Sequence, residues 1–311
     1  MNSLVSIHGA ISEPRAFDHK LCTRWMSYID ASPKTIEIYS RNIKHFLLYM
    51  ADKEIKNPQR EDIVAYRDYL KQKYKPATVQ GYLIAVKLFF KWTQQEGLYP
   101  DVAQRVKSVK LDTGHKKDYL TTQQVSKLLN TIDRSSLRGL RDYALLILMI
   151  TTGLREISVI RADVEDMRPA GDSAALYHRG KGRSDKTEYV KIAAPVEEAI
   201  RHYLNTRGDY TPSAPLFCSI SNRNGGGRLT TRSISRIAKT RLFEADLRSN
   251  RLTAHSLRHT AATLNLLNGG TVEETQQLLG HRNINTTMIY AHAMERVNNN
   301  SEERIARAIF S

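Results

Sequence analysis

The chain has 311 residues with ordinary apolar (41%) and charged (25%) fractions, enough for two domains that each bury a core, which excludes a disordered or fibrous protein. Its 47 Lys and Arg against 32 Asp and Glu give a formal net charge of +15, spread over both halves rather than gathered in a tail, so a polyanion, nucleic acid first, is the expected partner. Two cysteines in different halves, Cys22 and Cys218, exclude a disulfide framework or a cysteine metal site and fit a reducing cytoplasm; no signal peptide is expected, and the longest apolar run, Tyr143–Ile150, is far too short to span a bilayer.

Residues 1–17, with Gly9 and Pro14 and no clear period, read as a loose arm. Helical patterning starts near Phe17 and runs through Trp25, Met26 and Ile29. Ser32-Pro33-Lys34-Thr35 supplies a cap with proline at the first helical position, and Ile36, Tyr39, Ile43, Phe46, Leu47 and Met50 follow at helical spacing. After the break at Asn57-Pro58, Ile63, Tyr66 and Leu70 predict a helix over about 60–73. Pro76-Ala77-Thr78 opens a fourth helix, which Gly97 and Pro100 end. Residues 1–106 thus read as a helical bundle with no strand signal. Its last two helices carry Arg67, Lys71, Lys73, Lys75, Lys87 and Lys91, a set suited to phosphate contacts, which fix position and supply affinity without reading sequence.

Residues 107–118, KSVKLDTGHKKD, are polar and aperiodic and read as an interdomain linker. The second domain, 119–311, opens with Thr121 or Thr122 capping a helix through Leu129. A strongly apolar core helix over Arg141–Ile150 ends at Thr152-Gly153, and Arg155 stands just past that end, where a cation can point into a cleft. Ala174–Tyr177 and Thr187–Ile192 alternate as short strands. The glycine-containing hairpin between them lets the backbone approach a ligand closely and carries two competing lysines, Lys181 and Lys186, either of which alone reads as solvated. Val196–Thr206 is an amphipathic helix and Asn222–Arg228 a flexible loop. The helix predicted over Thr230–Leu247 lays Arg232, Arg236, Lys239 and Arg241 along a nucleic acid.

The stretch Thr253–His292 carries the densest chemistry. In H-x-x-R, His255 and Arg258 share a helix face, joining a proton carrier to a permanent cation with a planar fork, a pair suited to a phosphate whose oxygen must gain or lose a proton. His281 follows Gly280 in L-G-H, a loop after a helix. Tyr290 follows in T-T-M-I-Y-A-H, where Asn285-Thr286-Thr287 reads as a helix start.

Together T-G-L-R at Thr152–Arg155, G-K-G around Lys181, H-x-x-R, L-G-H and T-T-x-x-Y-x-H resemble the tyrosine recombinases, the phage-integrase and Xer family, in order and over essentially the whole chain. The resemblance implies a mainly α fold with a small antiparallel β-sheet (α+β), arranged as a two-domain C-shaped clamp with a SAM-like core-DNA-binding domain ahead of the catalytic one. It implies a site of Arg155, Lys181, His255, Arg258, His281 and Tyr290, with no cofactor and no metal. Tyr290 would attack a phosphodiester and leave a 3′-phosphotyrosine. The arginines would hold the non-bridging oxygens, His255 would act as base, Lys181 as acid, and His281 would donate to the phosphate. One departure stands out: the family usually has a glutamate three residues after the first arginine, whereas this chain has Ser158 there and Glu156 earlier.

The implied function is site-specific recombination of double-stranded DNA through a Holliday junction, without ATP, by four protomers whose tails (295–311) dock on their neighbours, with an accessory DNA-bending protein as a further partner. The short segment before the bundle resembles Xer-type resolvases or simple mobile-element recombinases. The alternatives are a type IB topoisomerase-like relaxing enzyme and a non-catalytic DNA-binding regulator on the same scaffold.

Overall fold

The computed structural model describes residues 19–111, 118–180, 185–208, 210–297 and 299–310. The expected N-terminal arm, half of the expected linker (112–117) and Lys181 lie outside them. The chain divides into two compact units, Met1–Thr113 and Gly114–Ser311.

The first unit holds α1 (His19–Tyr28), α2 (Pro33–Asp52), α3 (Arg60–Lys73) and α4 (Pro76–Gln95). Their starts are local chemistry. The Ser32 hydroxyl accepts the Thr35 amide at 3.2 Å with Pro33 in the first turn, and Pro76 likewise opens α4. The apolar stripes close on a core of Trp25, Ile43, Phe46, Tyr66, Phe89 and Trp92. Helices α2 and α4 approach at Gly81, whose carbonyl accepts from the buried Asn42 amide at 3.0 Å. Lys71, Lys73, Lys75 and Lys91 are exposed and Lys87 is half-buried. Lys71 pairs with Asp68, and Lys73 lies over the Tyr69 ring and donates to its hydroxyl.

The second unit is mainly helical with one small antiparallel sheet. Its elements are α5 (Thr122–Asn130), α6 (Leu137–Thr152), α7 (Glu156–Ile160), β1 (Met167–Ala170), β2 (Ser173–His178), β3 (Glu188–Lys191), α8 (Ala194–Arg207), α9 (Thr231–Glu244), α10 (Ala254–Leu267), α11 (Val272–Leu279), α12 (Asn285–Val297) and α13 (Ser301–Phe310). The sheet order is β1-β2-β3, with Leu176 opposite Val190 and His178 opposite Glu188. Strand β1 is missed by sequence pattern because it is a four-residue edge strand with Pro169 inside it and two exposed central residues, a place where proline is tolerated. Helix α6 is apolar nearly all round, as a helix buried among others must be. Leu145, Leu146, Leu148 and Met149 form the centre of the core. Among the described residues no helix is long and apolar enough to cross a membrane.

On α9 one of the four expected nucleic-acid contacts is taken up inside the fold. Arg241 does not line a nucleic-acid surface. It donates to Asp142 at 2.7 and 3.0 Å and to Glu244 at 2.7 Å, while Asp142, 3% exposed, also accepts from Arg141 at 2.6 Å. A carboxylate this buried is tolerated only between its guanidinium partners. Arg232 and Arg236 on the same helix are exposed. Asp142→Ala, by leaving two cations without their buried anion, is expected to lower the unfolding free energy by about 3–5 kcal/mol. Urea denaturation checks this, and an unchanged midpoint would refute the account.

Candidate active site

The site is assembled from helix ends. Gly153 terminates α6 in the left-handed conformation (φ +62) and lies so close to α10 and α11 that a Cβ there would meet Leu279 at 2.7 Å and Ala261 at 3.2 Å. Gly280 ends α11 in the same way, at φ +57, and the amides of Gly280 and His281 turn back onto Gln277 and Gln276. These closures leave the Gly153 and Leu279 carbonyls aimed at one place. Arg258 occupies it, donating through Nη1 to Gly153 O and through Nη2 to Leu279 O at 2.6 Å. Arg155, two residues past the Gly153 turn and at the cap of α7, also reaches Leu279 O, at 3.5 Å. Two guanidiniums therefore converge on the negative ends of two helices.

That convergence sets the electrostatics. Arg258 is 3% exposed, and its pKa falls to about 10, by burial first and then by the neighbouring Arg155 charge. It remains a cation at neutral pH. His281 Nδ1 lies 2.9 Å from the hydroxyl of buried Thr287. Burial, then Arg258, Arg155 and His255, push the His281 pKa down to about 4, so its ring is neutral at pH 7.

Tyr290, on α12, is 4% exposed and packs on Ala262 and Leu279. Burial raises its pKa, and Arg258 and Arg155 act against that rise. Its hydroxyl is 2.7 Å from Nδ1 of His259, whose ring is edge-on to that of His255 at 4.6 Å between centroids. The family resemblance points to His255 as the base, whereas the imidazole beside the phenol is that of His259. The signal was available, because His259 is one helical turn beyond His255 on the same face. His255 itself is exposed where Arg258 is buried.

A cavity of about 420 Å³ opens in front of the arginines, lined by Arg155, Arg258, His281, Ser158, His178 and Glu188 among others. Tyr290 and His255 do not line it. Lys181 lies outside the described residues. Its competitor Lys186 does not line the cavity, because it is held by Asp163 at 2.6 Å and by Asp166. Glu156 does not stand in for the glutamate missing at Ser158, because it faces α9 and accepts from the Ser235 hydroxyl at 3.2 Å. Among the described residues no group of His, Cys, Asp and Glu is arranged to hold a metal ion.

Comparison with known proteins places this geometry. Residues 118–296 match the model of the phage integrase family, and residues 22–98 match the N-terminal SAM-like domain of phage integrases. The tyrosine recombinase XerC of Herpetosiphon aurantiacus is 31% identical over 265 residues, covering 83% of this chain and 84% of that protein. The tyrosine recombinase XerD of Listeria monocytogenes is 29% identical over 281 residues, covering 84% and 88%. In fold, the chain is similar to the XerH site-specific recombinase bound to a palindromic difH substrate (TM-score 0.73, 21% identity, covering 94% and 92%) and to the Tn1549 transposon integrase in complex with circular intermediate DNA (TM-score 0.69, 15% identity, covering 87% and 94%). The chain belongs to the phage integrase family, the tyrosine recombinases.

His281 offers a direct check of the site's charge. It is expected to titrate near pH 4 in the DNA-free protein, and its midpoint should climb when an oxoanion neutralises the arginines. Since the unfolded ring titrates near 6.5 and the folded ring lower, protonation favours the unfolded chain, and this residue draws stability from the fold as pH falls from 6.5 toward 4. An NMR titration assigned with His281→Gln measures the midpoint. A value of about 6 or above would show that the guanidiniums do not face the ring.

Proposed function

We propose that the chain is a site-specific DNA recombinase that cleaves and rejoins duplex DNA through Tyr290, and that Arg155, Lys181, His255, Arg258 and His281 serve that step. The observation that carries the reading is the convergence of Arg155 and Arg258 on the Leu279 carbonyl, beside His281 and within electrostatic reach of the Tyr290 phenol. Two fixed guanidiniums match the two non-bridging oxygens of a phosphodiester. Because helix-end carbonyls already hold them, little reorganisation is needed as charge accumulates at phosphorus.

The phenolic oxygen attacks phosphorus, the bond to the 5′-oxygen breaks, and a 3′-phosphotyrosine and a free 5′-hydroxyl result. The 5′-hydroxyl of a partner strand reverses the step, so bond energy is conserved and neither ATP nor a metal is required. The proton of a phenol with an ordinary pKa of about 10 must be taken up as it attacks. His259 Nδ1 is at the right distance to accept it, and the adjacent, exposed His255 can pass it to solvent. With the His281 Nδ1 accepting from Thr287, its Nε2–H is left to donate to the phosphate. Lys181 is assigned the proton for the departing 5′-oxygen.

The exposed lysines of α3 and α4, with Arg232 and Arg236, are assigned backbone contacts to the DNA. The working form is assigned as a tetramer on DNA in the cytoplasm; helix α13 exposes Ile305, Ile309 and Phe310 (85%), which supports docking of the tail on a neighbouring protomer.

A suicide duplex nicked near a recombination site tests the nucleophile. Wild type is expected to form a covalent adduct on a denaturing gel, and Tyr290→Phe to bind the duplex with no adduct. An adduct from Tyr290→Phe would sink the assignment. A preformed junction substrate removes any need for an accessory DNA-bending protein. On the same substrate His259→Gln should slow adduct formation about 100-fold with DNA affinity kept, the lower end of general-base contributions, and His255→Gln should slow it less. The opposite ranking would return the role to His255.

A further inference from the structure

The cavity in front of the arginines is walled by cations: Arg155, Arg179, Arg258 and Arg282, with His281 beside them. Among its described lining residues there is one carboxylate, that of Glu188 at the start of β3. Its seat is built into the backbone on both sides. A Cβ on Gly180, at the base of the β2–β3 hairpin, would lie 2.1 Å from Glu188 Oε1, so the carboxylate fills the space that a side chain there would need. A Cβ on Gly280, in the turn before His281, would lie 3.8 Å from Oε2, in ordinary contact. Glu188 therefore spans from the hairpin to the turn that presents His281. It also faces His178, its partner across the strands, and acts on that ring against the pull of Arg155 and Arg258.

Two guanidiniums sharing one carbonyl repel each other, and in a partly buried cavity that repulsion is screened less than in water. A carboxylate in the same cavity relieves it. Ser158, 8% exposed and neutral, supplies no charge, and Glu156 is turned toward α9. We propose that Glu188 is a positioning residue of the cleavage site: seated between Gly180 and Gly280, it balances the charge of Arg155 and Arg258 and fixes the His281 turn against the β2–β3 hairpin. The role rests on the recombinase reading for its chemistry but not for its geometry. Glu188 takes no proton and touches no reacting atom. It keeps the arginines and His281 in the arrangement that the phosphate meets.

Glu188→Gln keeps the shape and removes the charge. In the suicide-duplex assay it is expected to slow adduct formation at least about 10-fold while DNA affinity stays equal or tightens, since an anion has been removed from a phosphate pocket. Glu188→Asp should fall between it and wild type. Ser158→Glu added to Glu188→Gln, restoring a carboxylate from the other wall, should recover part of the rate. A Glu188→Gln rate within about twofold of wild type would overturn the proposal, and so would a loss that neither Glu188→Asp nor Ser158→Glu lessens, which is the signature of packing alone. If wild type itself forms no adduct, the recombinase reading fails separately. Calorimetry with inorganic phosphate then decides the placement of Glu188: tighter binding by Glu188→Gln than by wild type supports it, and unchanged or weaker binding refutes it.

Discussion

The carbonyl of Leu279 is the point on which the second unit depends. It is left over when the α11 turn closes at Gly280, and it accepts from both Arg258 and Arg155. A helix C-terminus with spare carbonyls is a partial negative charge. Here it does the work of a counter-ion for two buried or half-buried cations. Gly153 makes the arrangement possible from the other side, since only a residue without a Cβ lets the end of α6 lie against Leu279 and Ala261. Backbone closure comes first and the guanidiniums follow; burial sets the main shift at His281 and Tyr290, and the guanidiniums add to it at the histidine and oppose it at the phenol.

Much of this was legible in the sequence because it is set by local rules. Proline after a capping serine, apolar residues at helical spacing and glycine past a long apolar run specify α2, α4 and α6 within a few residues. The motif spacings likewise pick out Arg155, Arg258, His281 and Tyr290, which the fold brings within electrostatic reach of one another. What escaped is what long-range partners decide. In the sequence Arg241 reads as a nucleic-acid contact and Lys186 as the competitor of Lys181, and carboxylates 99 and 23 residues away claim them. Strand β1 has no periodicity to betray it. His259 lies just outside H-x-x-R; helical spacing puts it on the His255 face, and only the packing of α10 on α12 brings it to the phenol.

Ser158 shows the same limit in reverse. In the chain it reads as a defect, a missing acid beside an arginine. In the fold the cavity already contains an acid, contributed by β3 thirty residues later. Charge balance is a property of a volume and not of a register position, so a departure from a linear pattern does not by itself empty the site.

The balance at Tyr290 decides what the proposed reaction needs. Burial holds its phenol above the ordinary value, and the nearby arginines work to bring it down. A phosphodiester bound between those arginines would take up the field that helps the phenol ionise, just when the phenolate is required. Electrostatic activation and substrate binding therefore compete for the same two cations. In the proposed reaction a direct proton acceptor does not enter that competition: the Tyr290 hydroxyl lies 2.7 Å from His259 Nδ1, and neither residue lines the cavity in front of the arginines. The histidine pair on α10 is thus the part of the site whose contribution grows as the arginines become occupied.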